Sequence, residues 1–103
     1  MSGYQILITQ RAFSSIYECV SFVKNVSIDA AKELYEQFME QIHNLALFPE
    51  KYPEIFGLKI RDWKIHKMPV HGGRYNVLYR IEKQIVYIID VIDSRKDQIL
   101  NRL

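Results

Sequence analysis

The residues of this chain best suited to chemistry are basic side chains that alternate with apolar ones between Trp63 and Asp97. Successive side chains of a strand point to opposite faces of a sheet, so this alternation predicts strands with one buried and one open face. The polar side chains expected on the open face are Lys64, His66, Arg74, Asn76 and Arg80. Clustered cations of this kind suit the binding of a polyanion such as a nucleic acid.

Charge is distributed unevenly along the 103 residues, although the formal net charge is only +2. Residues 1–58 contain four Lys or Arg and seven Asp or Glu, giving −3, whereas residues 59–103 contain ten and five, giving +5. A local field of this sign attracts an anionic partner whatever the other half of the chain carries. The alternative interpretation is that these cations are solvated side chains at the edges of a sheet.

The first half of the chain predicts the elements that must position these strands. Residues 4–9 (YQILIT) are rich in residues that favour a strand. Residues 10–26 predict a helix whose apolar side chains recur at helical spacing, namely Phe13, Ile16, Tyr17, Val20 and Val23. Ser27 is the predicted N-cap of a second helix. The apolar stripe of that helix comprises Ala31, Leu34, Phe38, Ile42 and Leu45.

The second half predicts three further strands. Pro49 and Pro53 end the second helix and open an irregular segment that reaches Gly57. The three strands that follow are separated by the glycine pair at 72–73 and by the polar connection at 82–84. The short connection between the two helices predicts an antiparallel helical hairpin.

The resulting element order, β-α-α-β-β-β, predicts one α+β domain over residues 1–103. In this fold the helical hairpin packs on one face of a small, largely antiparallel twisted sheet. The remaining residues, 95–103, predict a short helical tail.

Several classes of protein are not expected from the composition. The apolar fraction of 49% and charged fraction of 25% are ordinary for a globular protein, and no apolar run reaches the roughly 18–20 residues of a membrane helix. The N-terminus lacks the pattern of a signal peptide, so a cytosolic protein without a membrane partner is expected. Cys19 is the only cysteine, and no metal-ligand spacing is present, so we expect no disulfide, metal or cofactor.

Three stretches, in this order, resemble the RelE/ParE superfamily of toxins from bacterial type II toxin–antitoxin modules. They are YQILITQRAF at residues 4–13, HNLALFPEKYPE at 43–54 and RYNVLYRIEKQIVYIIDVIDSRKD at 74–97. The resemblance covers nearly the whole chain and implies the RelE-like fold. It also implies one of two activities, because RelE-like members cleave mRNA in the ribosomal A site, whereas ParE-like members poison DNA gyrase and lack the nuclease residues.

Residue by residue, the resemblance to the nuclease branch is partial. Lys64 and His66 match its pair of basic residues on the second strand, and Arg95 matches its arginine just beyond the fourth. Asn76 departs from the family pattern because it stands where an arginine is expected. The C-terminal ILNRL, in addition, has no tyrosine or histidine.

By this resemblance, three residues would carry metal-independent RNA cleavage. His66 would be the general base or acid, Lys64 would stabilise the phosphate, and Arg95 would clamp it. The residues expected to bind nucleic acid are Arg61, Arg74, Asn76, Arg80 and Lys96.

Three functional hypotheses follow from the resemblance. The preferred one is a ribosome-dependent mRNA endoribonuclease that arrests translation, with the ribosome and mRNA as partners. The first alternative is a ParE-like inhibitor of DNA gyrase without nuclease activity, and the second is an inactive or non-toxic binding module of the same fold. The two toxin hypotheses imply a cognate antitoxin, whose acidic segment would suit the basic residues 59–103.

Overall fold

The computed structural model describes residues 3–96, apart from the side chain of residue 59. The strands are β1 Gln5–Ile8, β2 Glu54–Ile60, β3 Trp63–Val70, β4 Tyr75–Glu82 and β5 Ile85–Asp93. The helices are α1 Gln10–Lys24 and α2 Ile28–Asn44, and a 3-10 turn follows at Ser94–Lys96. None of the helices in this part of the chain is long and apolar enough to span a membrane.

The strands form one five-stranded sheet in the order β1-β5-β4-β3-β2. β1 pairs with β5 in parallel, and the other neighbours are antiparallel, so the sheet is mixed. The two helices pack on one face of this sheet. The predicted α+β class and helical hairpin are confirmed.

The sequence prediction missed β2, most of which lies in the segment that was expected to be irregular. Pro53 directly precedes this strand, and Gly57 sits inside it with φ +80°. The register against β3 shifts between Glu54 and Lys59, so the pairing is irregular there. An edge strand tolerates such interruptions because only one of its sides must pair.

Both helices begin with a side-chain cap. The Thr9 hydroxyl oxygen accepts a hydrogen bond from the amide of Ala12 at 3.2 Å and caps α1. The Ser27 hydroxyl oxygen accepts one from the amide of Ala30 at 3.1 Å, as the sequence predicted for α2. Each cap satisfies an amide that has no partner within its own helix.

The main core lies between the helices and the sheet. The predicted stripe of α2 is confirmed, since all five of its residues are buried. The stripe of α1 was wrong at two positions, because Phe13 is 49% and Tyr17 74% exposed. Ile16 is buried as predicted, and α1 also turns Ala12 and Ser15 inward, two small side chains that let the helix lie close to β5.

The sheet face away from the helices is covered in part and is not the open face that alternation predicted. Ile65, Leu78 and Ile92 are buried there in a second, smaller apolar cluster. Partly buried apolar residues pack around them, namely Ile55, Leu58, Ile60, Trp63 and Ile89. The strand that the prediction missed, β2, supplies three of these side chains. Of the predicted helical tail, residues 97–103 lie outside the described part of the chain.

Candidate functional site

His66 is buried on the helix side of the sheet, together with Met68 and Val70, and not on the far face. Its ring stacks on Tyr79 with centroids 5.0 Å apart and planes 16° apart. Its Nδ1 lies 2.7 Å from the carbonyl oxygen of Tyr52, and because a carbonyl only accepts, Nδ1 must carry the proton. His66 therefore fastens the loop that leads into β2 to the core.

Tyr79 contacts the same loop at a second position. Its hydroxyl donates a hydrogen bond to the carbonyl of Pro49 at 2.7 Å. Burial raises the pKa of Tyr79 to about 12, because the ionised phenolate would be desolvated. His66 and Tyr79 thus form a stacked pair whose two polar groups are both directed to backbone carbonyls of the loop.

The three predicted catalytic residues do not converge. Lys64 lines a shallow cleft together with Arg80 and Ile81, near the end of β4. Arg95 lies two residues after Asp93, which pairs with Tyr75 at the start of β4. Six steps along β4 separate residue 75 from residue 81, a distance of roughly 20 Å at about 3.3 Å per residue. His66 is buried between these two ends. Seven of the eight predicted site residues therefore fall into two separate groups, and His66 belongs to neither.

The first group is a stack of cations and aromatic rings at the β2–β3 turn, which we call the stacked-arginine cluster. The guanidinium carbon of Arg80 lies 4.1 Å from the ring centroid of Trp63 and 4.1 Å from that of Tyr87. The guanidinium carbon of Arg61, in the turn, lies 5.3 Å from the same Trp63 ring centroid. Arg80 also forms a hydrogen-bonded ion pair with Glu82, and this hydrogen bond lowers the pKa of the Glu82 carboxyl.

The Arg80 side chain is only 14% exposed. It already contacts Trp63, Tyr87 and Glu82, so its role is to stabilise the fold. The cleft of about 310 Å³ beside it is lined by carboxylates as well as cations, since Asp62 and Glu82 both border it. A phosphate in this cleft would meet both signs of charge. The stacked-arginine cluster is therefore a poor nucleic-acid clamp.

The second group lies at the opposite end of the sheet, where β5 ends. Arg95 donates two hydrogen bonds to the Asp93 carboxylate, at 2.8 and 3.2 Å. This pairing lowers the pKa of Asp93 and raises that of Arg95. Asn76 donates to the hydroxyl of Ser94 at 2.8 Å, so it fixes the end of the strand. Lys96 follows directly and is exposed.

Arg74 completes this second group and has an unusual environment. Its Nε is buried without a hydrogen-bond partner among the described residues, and its guanidinium carbon lies 5.9 Å from the ring centroid of Tyr75. Burial raises the pKa of Tyr75, although the charge of Arg74 partly opposes this shift. The hydroxyl of Tyr75 therefore stays neutral under ordinary conditions.

A cleft of about 500 Å³ opens between α1 and this end of β5. Its lining includes Arg95 and Lys96, which the sequence had singled out, and Cys19, Phe22 and Tyr75, which it had not. The one available signal for the missed residues was Phe22, an aromatic outside the predicted apolar stripe of α1. Within residues 3–96, no three His, Cys, Asp or Glu side chains are arranged to hold a metal ion.

Comparisons with known proteins agree with this architecture. Residues 6–98 match the family model described as the ParE toxin of the type II toxin–antitoxin system parDE. No curated protein sequence matches the chain. The chromosomal ParDE system of P. aeruginosa provides a similar structure, with a TM-score of 0.67 and 11% identity over 87% of this chain and 95% of that one.

A second similar structure is the archaeal RelE–RelB complex of Pyrococcus horikoshii OT3. Its TM-score is 0.55, with 17% identity over 88% of this chain and 94% of that one. At such low identities, the two structural similarities support the shared fold alone.

Proposed function

Because the chain belongs to the ParE family of type II toxins, we propose that it inhibits DNA gyrase by binding to it and does not cut RNA. This reverses the order of the two toxin hypotheses that the sequence alone favoured. The proposal extends the family assignment to a particular target, and the arrangement of the candidate nuclease residues is the observation that supports it.

RNA cleavage requires a base, an acid and a phosphate clamp within hydrogen-bond reach of one phosphodiester. Here Lys64 and Arg95 lie at opposite ends of the sheet. His66 is 9% exposed, and its Nδ1 is occupied by a backbone carbonyl. A single phosphate cannot touch all three residues. A toxin that acts by binding, in contrast, needs no such convergence.

The chain is a type II toxin, and an antitoxin is therefore its expected protein partner. The basic charge of residues 59–103 and the exposed cations Arg95 and Lys96 suit an acidic antitoxin segment. Both gyrase and a type II antitoxin are encountered in the cytoplasm, so we place the action of this protein there.

The experiment is inducible expression in a bacterial host, with methionine and thymidine incorporation followed separately. The variants are His66→Gln, which keeps a donor for the Tyr52 carbonyl, and Arg95→Ala. We expect thymidine incorporation to fall first, and we expect both variants to remain toxic. In vitro, the wild-type protein should inhibit supercoiling by purified gyrase.

A ribosome-dependent nuclease remains the second candidate, because Arg74, Arg95 and Lys96 gather around one end of the sheet. Early loss of methionine incorporation, abolished by either substitution, would establish that activity and overturn the gyrase proposal. Normal growth on expression of the folded protein would favour the non-toxic binding module.

A further inference from the structure

The solvent-exposed side of the helical hairpin carries several large apolar side chains that are not part of the core. Among the exposed large apolar side chains of the described residues, six lie between residues 13 and 35, namely Phe13, Tyr17, Phe22, Val26, Ile28 and Tyr35. Aromatic side chains are enriched at protein interfaces, and clustered exposed apolar groups mark interaction sites. We call the four of these that lie within the helices and outside the cleft at β5 the hairpin seam: Phe13, Tyr17, Ile28 and Tyr35.

The hairpin seam is one strip and not a scatter of single residues. Phe13 and Tyr17 are four residues apart on α1, and Ile28 and Tyr35 are seven apart on α2, so each pair shares a helix face. Tyr17 lies seven residues before the end of α1, and Tyr35 seven residues after the start of α2. At about 1.5 Å per residue, both tyrosines stand at the same height, roughly 10 Å from the connection.

The core does not need the hairpin seam. The inward faces of both helices are filled by other side chains, such as Ile16 and Phe38, which are 2% and 0% exposed. Val20 and Met39 are half-buried and pack against that core from the helices. The side chains of the hairpin seam therefore remain available to a partner.

Charge restricts which partner fits. The exposed side of α2 carries a row of carboxylates, Asp29, Glu33, Glu36 and Glu40, with Lys32 as the basic exception. Residues 10–44 contain three Lys or Arg and five Asp or Glu, so the hairpin is net −2 while residues 59–103 are net +5. An acidic antitoxin segment is attracted to the sheet and repelled by α2. The hairpin instead suits a surface that is apolar and cationic.

We propose that the hairpin seam is the surface through which this toxin docks on DNA gyrase. This inference rests on the proposed function. Gyrase binds DNA, and any surface that holds the phosphate backbone must be densely cationic. The aromatic side chains would anchor the contact, and the carboxylates of α2 would orient it. The basic sheet would stay free for the antitoxin, so the two partners would use different faces of the toxin.

The test measures inhibition of supercoiling by the complete gyrase holoenzyme, with Tyr17→Ser and Glu36→Lys as variants. Both side chains are exposed, so folding should survive, and thermal melts check this. The matched controls are Phe56→Ser, whose side chain is 102% exposed on β2, and Glu50→Lys in the loop after α2. Binding of the full-length cognate antitoxin is measured for every variant.

We expect Tyr17→Ser to raise the inhibitory concentration at least about tenfold, as for an interface hot spot, with antitoxin binding and both controls unchanged. Glu36→Lys should weaken inhibition most at low salt, where charge contributes most. If wild type inhibits gyrase and the two variants inhibit equally well, the docking surface is wrong while the proposed function stands. If Tyr17→Ser loses antitoxin binding but still inhibits gyrase, the hairpin seam binds the antitoxin and the docking proposal is wrong. If wild type does not inhibit gyrase, the proposed function itself fails, and the docking proposal fails with it.

Discussion

Substitution of His66 separates a structural role from a catalytic one. His66→Ala removes the 2.7 Å hydrogen bond to the Tyr52 carbonyl and the ring stack on Tyr79. The lost hydrogen bond costs about 1–2 kcal/mol, and the lost stack about 0.5–1.5 kcal/mol. With the space left by the imidazole, we expect the free energy of unfolding to fall by about 2–4 kcal/mol.

The assay for His66 combines a thermal melt with gyrase inhibition, both reported per folded molecule. For a domain of about this size, each kcal/mol lowers Tm by roughly 4–8 °C, so His66→Ala should lower Tm by roughly 10–30 °C. His66→Gln retains an N–H donor for the same carbonyl and should recover about half of that loss. The matched control is His43→Gln on α2, where the histidine is exposed and Tm should change little.

Activity provides the decisive comparison for the same residue. Well below its Tm, each folded variant should inhibit gyrase as wild type does, because His66 only holds the loop before β2. If His66→Gln melts near wild type but has lost its toxicity, the imidazole takes part in chemistry, and the structural interpretation is wrong.

Three further predictions follow from other contacts. Burial raises the pKa of Tyr79 to about 12 from its usual 10.0. As pH rises, the unfolded chain therefore loses this proton before the folded state does. The stability that results is fully present below pH 10 and is lost as pH rises towards about 12. Tyr79→Phe should cost about 1 kcal/mol at neutral pH through the lost bond to Pro49 and should flatten that alkaline decline, as measured by denaturant unfolding from pH 8 to 12. Ser15→Ala removes a hydroxyl that donates a hydrogen bond at 2.5 Å to the fully buried carboxylate of Asp90. The free energy of unfolding should therefore fall by about 1.5–3 kcal/mol. A change below about 0.5 kcal/mol would show that this hydrogen bond does not stabilise the fold. Arg80→Lys keeps the charge but loses the planar contacts with two rings, and a denaturant melt should show a loss of about 1 kcal/mol, with no loss expected if charge alone mattered.

The sequence predicted those parts of the fold that depend on neighbouring residues. The Ser27 cap and the stripe of α2 are set within a few residues of chain, and both are present. β2 was missed because the proline before it and the glycine within it resemble a loop locally, whereas its pairing with β3 is decided by distant residues. Phe13 and Tyr17 were placed inward because spacing alone does not distinguish a core face from an exposed apolar face.

The candidate site was harder to predict for the same reason. Alternation along β3 places Lys64, His66 and Met68 on one face but does not say which face meets the helices. The buried Met68 shows that this face does. The distance between Lys64 and Arg95 follows from the strand order and register, which sequence spacing does not contain.

The parallel pairing of β1 with β5 has a consequence for synthesis of the protein. Gln5 pairs with Ile85, and the hydroxyl of Thr9 donates to the carbonyl of Ile88 across 79 residues of chain. β1 must therefore wait, unpaired, until β5 has left the ribosome. A partly translated chain lacks the complete sheet on which the helices rest. We expect the nascent toxin to be harmless to the cell that makes it until β5 has been made, which leaves time for an antitoxin made earlier to meet it.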